Sequence, residues 1–224
     1  MATHGRAVML LGATGLVGGE LLRLLLADRA VGRVVALARR PVTPPKGTSP
    51  EQLRKLDARV VDLQRLDDAG DAFNGVEQIY CALGTTIRQA GSQERFRQID
   101  HDVPLAAARL GMQLGARHFL LVSALGADPA SRFFYNRVKG ELERDIAALG
   151  YRSVTVVRPS LLLGERSEFR LGEEMAKRIR WLIPGKWSPV HAADVAAALV
   201  AEGERDASGM RIIESRDIPR VRRG

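Results

Sequence analysis

The chain has 224 residues, 34 of them basic and 26 acidic, for a formal net charge of +8. Hydrophobic residues at 46% and charged residues at 27% are the proportions of a globular protein with a real core, in the size range of one α/β domain. Its arginines are spread among acids along the chain, with only Arg216, Arg220, Arg222 and Arg223 near one another, and aromatics make up 5%; this excludes an arm, helix or stacking platform for nucleic acid.

Met1-Ala2-Thr3-His4 leads into a short apolar run broken by glycines, without a charged n-region and a long h-region. No stretch of about 18 apolar residues follows anywhere, so the expectation is a cytoplasmic protein that does not span a membrane. The first predicted strand is Ala7–Leu11, and it runs into Gly12-Ala13-Thr14-Gly15-Leu16-Val17-Gly18-Gly19. A predicted helix follows directly over Gly15–Ala27, with Leu16, Val17, Leu21, Leu24 and Leu25 on one face. Gly12 permits a tight turn out of the strand, Gly15 a close backbone approach to a pyrophosphate, and Gly18 close packing of helix on sheet. The N-terminus of that helix offers unpaired N–H donors and partial positive charge. Gly12, Thr14, Gly15, Leu16 and Val17 are therefore candidate dinucleotide ligands.

The second strand, Arg33–Ala38, ends on Arg39-Arg40-Pro41. A protein that prefers NAD places an acid there to accept from the adenosine 2′-OH, but no Asp or Glu occurs between Asp28 and Glu51. The guanidinium groups of Arg39 and Arg40 suit a 2′-phosphate by charge and fork geometry, so NADP(H) is expected over NAD(H). Pro41, Pro44, Pro45, Gly47 and Pro50 make Val42–Pro50 a loop. A third strand, Arg59–Val61, leads to Asp62, placed at the adenine edge. The fourth, Gln78–Ala82, contains the single cysteine, Cys81, which reads as a small buried hydrophobe and excludes a disulfide. No metal site is expected.

The polar loop Thr85–Gln93 is a candidate lid. A helix is predicted over Arg97–Leu114; His101, between Asp100 and Asp102, is expected on its surface or in a supporting role behind the site. The fifth strand, His118–Val122, is closed by Ser123, and a helix over Ser131–Leu149 carries Tyr135 and Lys139. Their i, i+4 spacing puts both side chains on one helix face. An ammonium beside a phenol favours its ionised form, so Tyr135 suits a general acid toward a carbonyl oxygen that Ser123 also bonds. A strand at Ser153–Val157 precedes Arg158 and Pro159. Trp181 and Trp187 flank Pro184-Gly185, where they either wall a pocket or pack. His191 stands before a helix start at Ala192-Ala193-Asp194, and a last strand covers Met210–Ile213. Short apolar runs alternating with helical stretches predict a Rossmann-type doubly wound parallel α/β sheet. Residues 1–224 are expected to form a single domain, with 160–224 a small substrate-side extension.

These motifs together resemble the short-chain dehydrogenase/reductase superfamily, in its atypical branch, and within it the Tat-interacting-protein-like oxidoreductases. The likeness also rests on Cys81-Ala82-Leu83-Gly84-Thr85-Thr86, Ala90-Gly91-Ser92, Val138-Lys139-Gly140-Glu141, Val157-Arg158-Pro159-Ser160 and Leu163-Gly164. The resemblance implies NADPH in the groove and Ser123, Tyr135 and Lys139 as catalytic residues. It also implies Lys139 on the nicotinamide ribose, with Ala82, Leu83, Gly84 and Pro159 lining the cofactor. Many members carry an asparagine on the helix after the fourth strand for a proton relay; here that neighbourhood reads Gln98-Ile99-Asp100-His101-Asp102. Only 65 residues follow Pro159, too few for the pocket of a nucleotide-sugar epimerase or dehydratase. The expectation is an NADPH-dependent reductase of a small carbonyl compound, with room for homo-oligomers. The alternative is an NADPH-binding regulatory or sensor protein with little turnover.

Overall fold

The computed structural model describes residues 5–163 and 189–221. Seven strands form one sheet: β1 (Arg6–Leu11), β2 (Val31–Ala38), β3 (Leu56–Val60), β4 (Gln78–Cys81), β5 (His118–Val122), β6 (Ser153–Arg158) and β9 (Gly209–Glu214). They lie in the order β3-β2-β1-β4-β5-β6-β9, and every neighbouring pair is parallel. Parallel neighbours require crossovers, and helices supply most of them: α1 (Leu16–Ala27), α5 (Val103–Gln113), α6 (Phe134–Ala147) and α7 (Ala192–Arg205). The strands read as unbroken apolar runs because both faces are covered. Val8 and Leu10 of β1 pack with Leu21 and Leu25 of α1 and with Val195 and Leu199 of α7. Met9 and Leu11 point the other way, into a second core with Ala107 of α5 and Leu142 of α6. This is the expected doubly wound Rossmann-type arrangement.

The differences from expectation have local causes. The third strand runs over Leu56–Val60 rather than Arg59–Val61. It is an edge strand whose Asp57 and Arg59 are tied to Arg33 and Asp71 at 2.8 and 2.6 Å, so it needs no apolar run. The helix expected over Arg97–Leu114 is interrupted. It begins as α4 (Gln93–Arg97), widens for one turn at Gln98–Asp102, where the Val103 N–H donates to the Gln98 carbonyl, and resumes as α5. Pro104 lacks an N–H for the carbonyl four residues back, at Asp100, and its ring crowds that carbonyl, which favours the wider turn. The helix expected over Ser131–Leu149 begins at Phe134, because residues 128–131 close a turn in which Ser131 N–H donates to Asp128 O at 3.0 Å.

The loop expected at Val42–Pro50 ends in a short helix, α2 (Pro50–Leu53), started by a reciprocal Ser49–Gln52 cap. The expected lid loop is largely helical, with α3 (Ile87–Ala90) and then α4. His101 is buried instead of lying on the helix surface: its ring nitrogens stand 2.8 Å from Asp102 and 3.1 Å from Asp145 of α6. β7 (Leu162–Leu163) and β8 (Val190–His191) form a separate parallel pair. Trp181, Trp187, Pro184-Gly185, Gly164 and Arg222-Arg223 lie outside the described residues. Among the described residues no helix is long and apolar enough to cross a membrane.

Candidate functional site

Strand order reverses between β1 and β4, and the chains leaving their C-terminal ends part there, opening a crevice. A cavity of about 420 Å³ occupies it. Gly12, Thr14 and Gly15 line one wall, Arg39, Arg40 and Asp62 another, and Ala82, Leu83 and Gly84 the third. Nine sequence-predicted ligands are thus brought together. Thr85, Gln89, Arg95, Gln98 and Ile99 line it as well. Thr85 and Gln89 belong to the segment expected as a lid; sequence reasoning missed Arg95, Gln98 and Ile99, because only the folding of α4 and the widened turn after it brings them to the crevice.

The glycine turn has the shape its spacing predicts. Gly12 stands at φ +89°, and a β-carbon on it would lie 2.5 Å from the Ala82 carbonyl. A β-carbon on Gly18 would lie 1.9 Å from the Gly12 carbonyl, so α1 can approach the turn this closely only with glycine there. Helix α1 starts with Gly15 as its cap, with no side chain bonding its first N–H groups and no acid in its first turn. Gly15 itself lines the cavity, so an anion bound beside it would lie at the N-terminus of α1, where it could satisfy such donors. Leu16 and Val17 form that first turn, although the Val17 side chain is buried in the core. Arg39 and Arg40 are exposed at the opposite end. Asp62 caps the turn after β3, accepting from Gln64 N–H at 2.9 Å. These features fit a dinucleotide: donors for a pyrophosphate, cations at the end of β2, and a glycine cradle that any side chain would fill.

Tyr135 and Lys139 share a face of α6, and Lys139 reaches the underside of the crevice: a β-carbon on Gly84 would be 3.8 Å from its Nζ. The Lys139 ammonium is 2.8 Å from Asp100 Oδ1, and neither side chain is more than 4% exposed. Burial by itself would drive the ammonium to lose its proton; attraction to Asp100, then to Tyr135, outweighs it and holds Lys139 above its ordinary range. Burial pushes the Asp100 carboxyl up, and Lys139 offsets part of that. The Tyr135 ring is half-buried against Phe96 of α4, 5.3 Å between centroids.

Ser123 is placed differently. It is buried, and its hydroxyl donates to Glu143 of α6, whose carboxylate also accepts from Arg158 Nε and Nη2 at 3.1 and 2.5 Å. Arg158 continues to Glu214 of β9 at 3.0 Å. The serine thus belongs to a charged network that joins α6, β6 and β9. Pro159 is buried beyond the end of β6, and its carbonyl accepts from Leu125 N–H at 2.9 Å. Cys81 is fully buried and its thiol is pushed up to about 11 by that burial, as expected of a packing residue.

A family model described as NAD(P)H-binding matches residues 12–204. The protein HTATIP2 of Rattus norvegicus is 35% identical over 198 residues, covering 88% of this chain and 80% of that protein. The mitochondrial protein fmp52 of Emericella nidulans is 36% identical over 171 residues, covering 76% of this chain and 72% of that protein. Among solved structures, MoeE5 in complex with UDP-glucuronic acid and NAD superposes with a TM-score of 0.72 at 19% identity, over 92% of this chain and 75% of that one. That likeness shows the fold alone. The expectation of a cytoplasmic protein does not stand, because fungal relatives at 32–36% identity are mitochondrial by name. Compartment is set by receptor-read address segments rather than by the composition of a folded domain, so the composition could not reveal it. With the family model spanning most of its length and relatives matched over most of theirs, the chain belongs to the NAD(P)H-binding family, among the relatives of HTATIP2 and FMP52.

Proposed function

We propose that the protein is an NADPH-dependent reductase of a small carbonyl compound. The observation that carries this reading is the cavity lined by the glycine turn before α1, by Arg39 and Arg40 at the end of β2 and by Gly84, with Lys139 buried beneath Gly84 and Tyr135 one helical turn before it on α6. NADPH, when bound, supplies the hydride. Lys139 would hold the ribose hydroxyls, and the Tyr135 phenol, one helical turn away on the same face of α6, would deliver a proton to the carbonyl oxygen. Preference for the 2′-phosphate is supported by Arg39 and Arg40 and by the lack of an acid from residue 29 to residue 50.

Parallel calorimetric titration with NADPH and NADH tests the cofactor. Tighter NADPH binding is expected, and Arg39→Ala with Arg40→Ala should narrow the difference at least tenfold. Turnover is tested by a carbonyl screen, in which Tyr135→Phe should lose activity while still binding NADPH. Equal activity in that variant overturns the chemistry, and failure to bind either dinucleotide overturns the whole reading.

A second reading is favoured by one observation: Ser123 already donates to Glu143, and Lys139 is already paired with Asp100. Both groups have protein partners, as suits an NADPH-binding regulatory or sensor protein with little turnover. Dinucleotide binding combined with no turnover across the screen would select it.

A further inference from the structure

Three arginines line the crevice, Arg39 and Arg40 where the chain leaves β2 and Arg95 of α4, against one carboxylate, Asp62, among the described residues. None of the three forms an ion pair among the described residues, whereas Arg33 of β2 is paired with Asp57 and Arg97 of α4 with Glu141. Ser92 caps α4 by accepting from Arg95 N–H at 3.0 Å, and Phe96 pins the helix, fully buried against Phe134 and Tyr135. Arg95 itself stays half-buried at the cavity wall.

The Arg95 guanidinium is oriented by two neutral amides. Gln98 Oε1 accepts from its Nη1, and the Gln64 amide, turned with its oxygen toward Arg95, accepts from Nη1 and Nη2 at 2.6 and 3.1 Å. The opposite orientation of Gln64 would set N–H groups against N–H groups. Gln64 follows β3 and Arg95 follows β4, at the two ends of the run β3-β2-β1-β4. The guanidinium therefore reaches over the crevice toward β3 and the adjacent end of β2, rather than toward the glycine turn after β1. Amides hold the fork in place but leave its charge whole. Like charges around one cavity repel one another until an anion enters.

We propose that Arg95 is a specificity-determining residue of the cofactor site: with Arg39 and Arg40 it closes on the adenosine 2′-phosphate of NADPH. The proposal rests on the dinucleotide reading of the crevice. A 2′-phosphate carries about two negative charges at neutral pH and presents several acceptor oxygens, so arginines from two sides of the cavity can each bond it. The 2′-hydroxyl of NADH carries no charge, so what Arg95 adds is felt by NADPH.

The test is calorimetric titration of the full chain and of Arg95→Ala with NADPH and with NADH, two ligands that differ only by the 2′-phosphate. NADPH affinity should fall at least about tenfold in the variant, as the loss of a charge-assisted hydrogen bond requires, while NADH affinity changes by less than about twofold. Unchanged NADPH binding in the folded variant overturns the proposal. So does an equal loss for both dinucleotides, which would put the guanidinium against the adenine or the pyrophosphate. If Arg95→Ala does not fold, Arg95→Gln is read by the same criterion; if neither folds, Arg95 is a structural tie of α4 and the proposal falls. The unaltered protein separates this proposal from the reading beneath it. Binding of neither dinucleotide condemns the dinucleotide site itself, whereas equal binding of both leaves the site standing and ends the 2′-phosphate role of all three arginines.

Discussion

His118 opens β5 with its ring buried, sharing a hydrogen bond of 3.0 Å with Thr155 on β6, and burial lowers its pKa to about 4. The folded state thus binds this proton less readily than the unfolded chain, where a histidine titrates near its ordinary 6.5. Stability from this residue is complete above about pH 6.5 and is lost as pH falls toward about 4, a swing of about 3 kcal/mol at most. Thermal unfolding followed across that window should show the melting temperature dropping, and His118→Gln should flatten the drop. Asp57, held below the ordinary carboxylate range chiefly by its hydrogen bond from Arg59, loses its contribution only at lower pH, so the two effects separate. At this scale the sequence was partly legible. The spacing of Tyr135 and Lys139 specifies a shared helix face because helix geometry is local. It could not reveal that Ser123 would turn to Glu143, since that depends on how α6 lies against β5.

At the scale of elements, α6 is held where its face meets the crevice by two close approaches. Arg97 of α4 pairs with Glu141 of α6 at 2.6 Å. Gly140 lets the chain at Asp128-Pro129 rest directly on the helix; a β-carbon there would lie 2.2 Å from the Asp128 carbonyl carbon and 2.3 Å from the Pro129 nitrogen. That segment cannot readily retreat, because Asp128 N–H donates to the Asn136 carbonyl of the same helix at 3.0 Å. Gly140→Ala should therefore cost about 1–3 kcal/mol, visible as a melting temperature lower by roughly 2–12 °C. An unchanged melt would mean that the turn relaxes freely. The run Val138-Lys139-Gly140-Glu141 identified the region, but the backbone that Gly140 accommodates comes from a loop the sequence does not mark. The same holds for α3 and α4: polar residues with Gly91 read as a loop, yet Thr86 and Ser92 each accept from the N–H three residues on and start short helices.

The whole molecule places its crevice where the sheet changes direction, and a ligand bound there touches segments from β1, β2, β3 and β4 at once. Binding should accordingly stabilise the entire fold. NADPH at one hundred times its dissociation constant is expected to add about 2.7 kcal/mol, raising the melting temperature by about 5–11 °C in a thermal-shift measurement. NADH at the same concentration should raise it less. Equal shifts would remove the role given to Arg39 and Arg40, and no shift with either would contradict a dinucleotide site at this crevice.

What the sequence determined alone was whatever short-range geometry governs. The strand–Gly12-x-x-Gly15-x-x-Gly18–helix turn follows from backbone sterics, the parallel sheet from apolar runs separated by helical periods, and the Tyr135–Lys139 face from the helical repeat. Tertiary structure alone decided which charges meet. Asp100 reaches Lys139 because Pro104 widens the turn before α5, and Arg158 gathers Glu143 and Glu214 because β6 lies beside β9. Ion pairs between segments distant in the chain depend on packing, and no periodicity in the residues around Asp100 or Glu143 announces the partner that packing will bring.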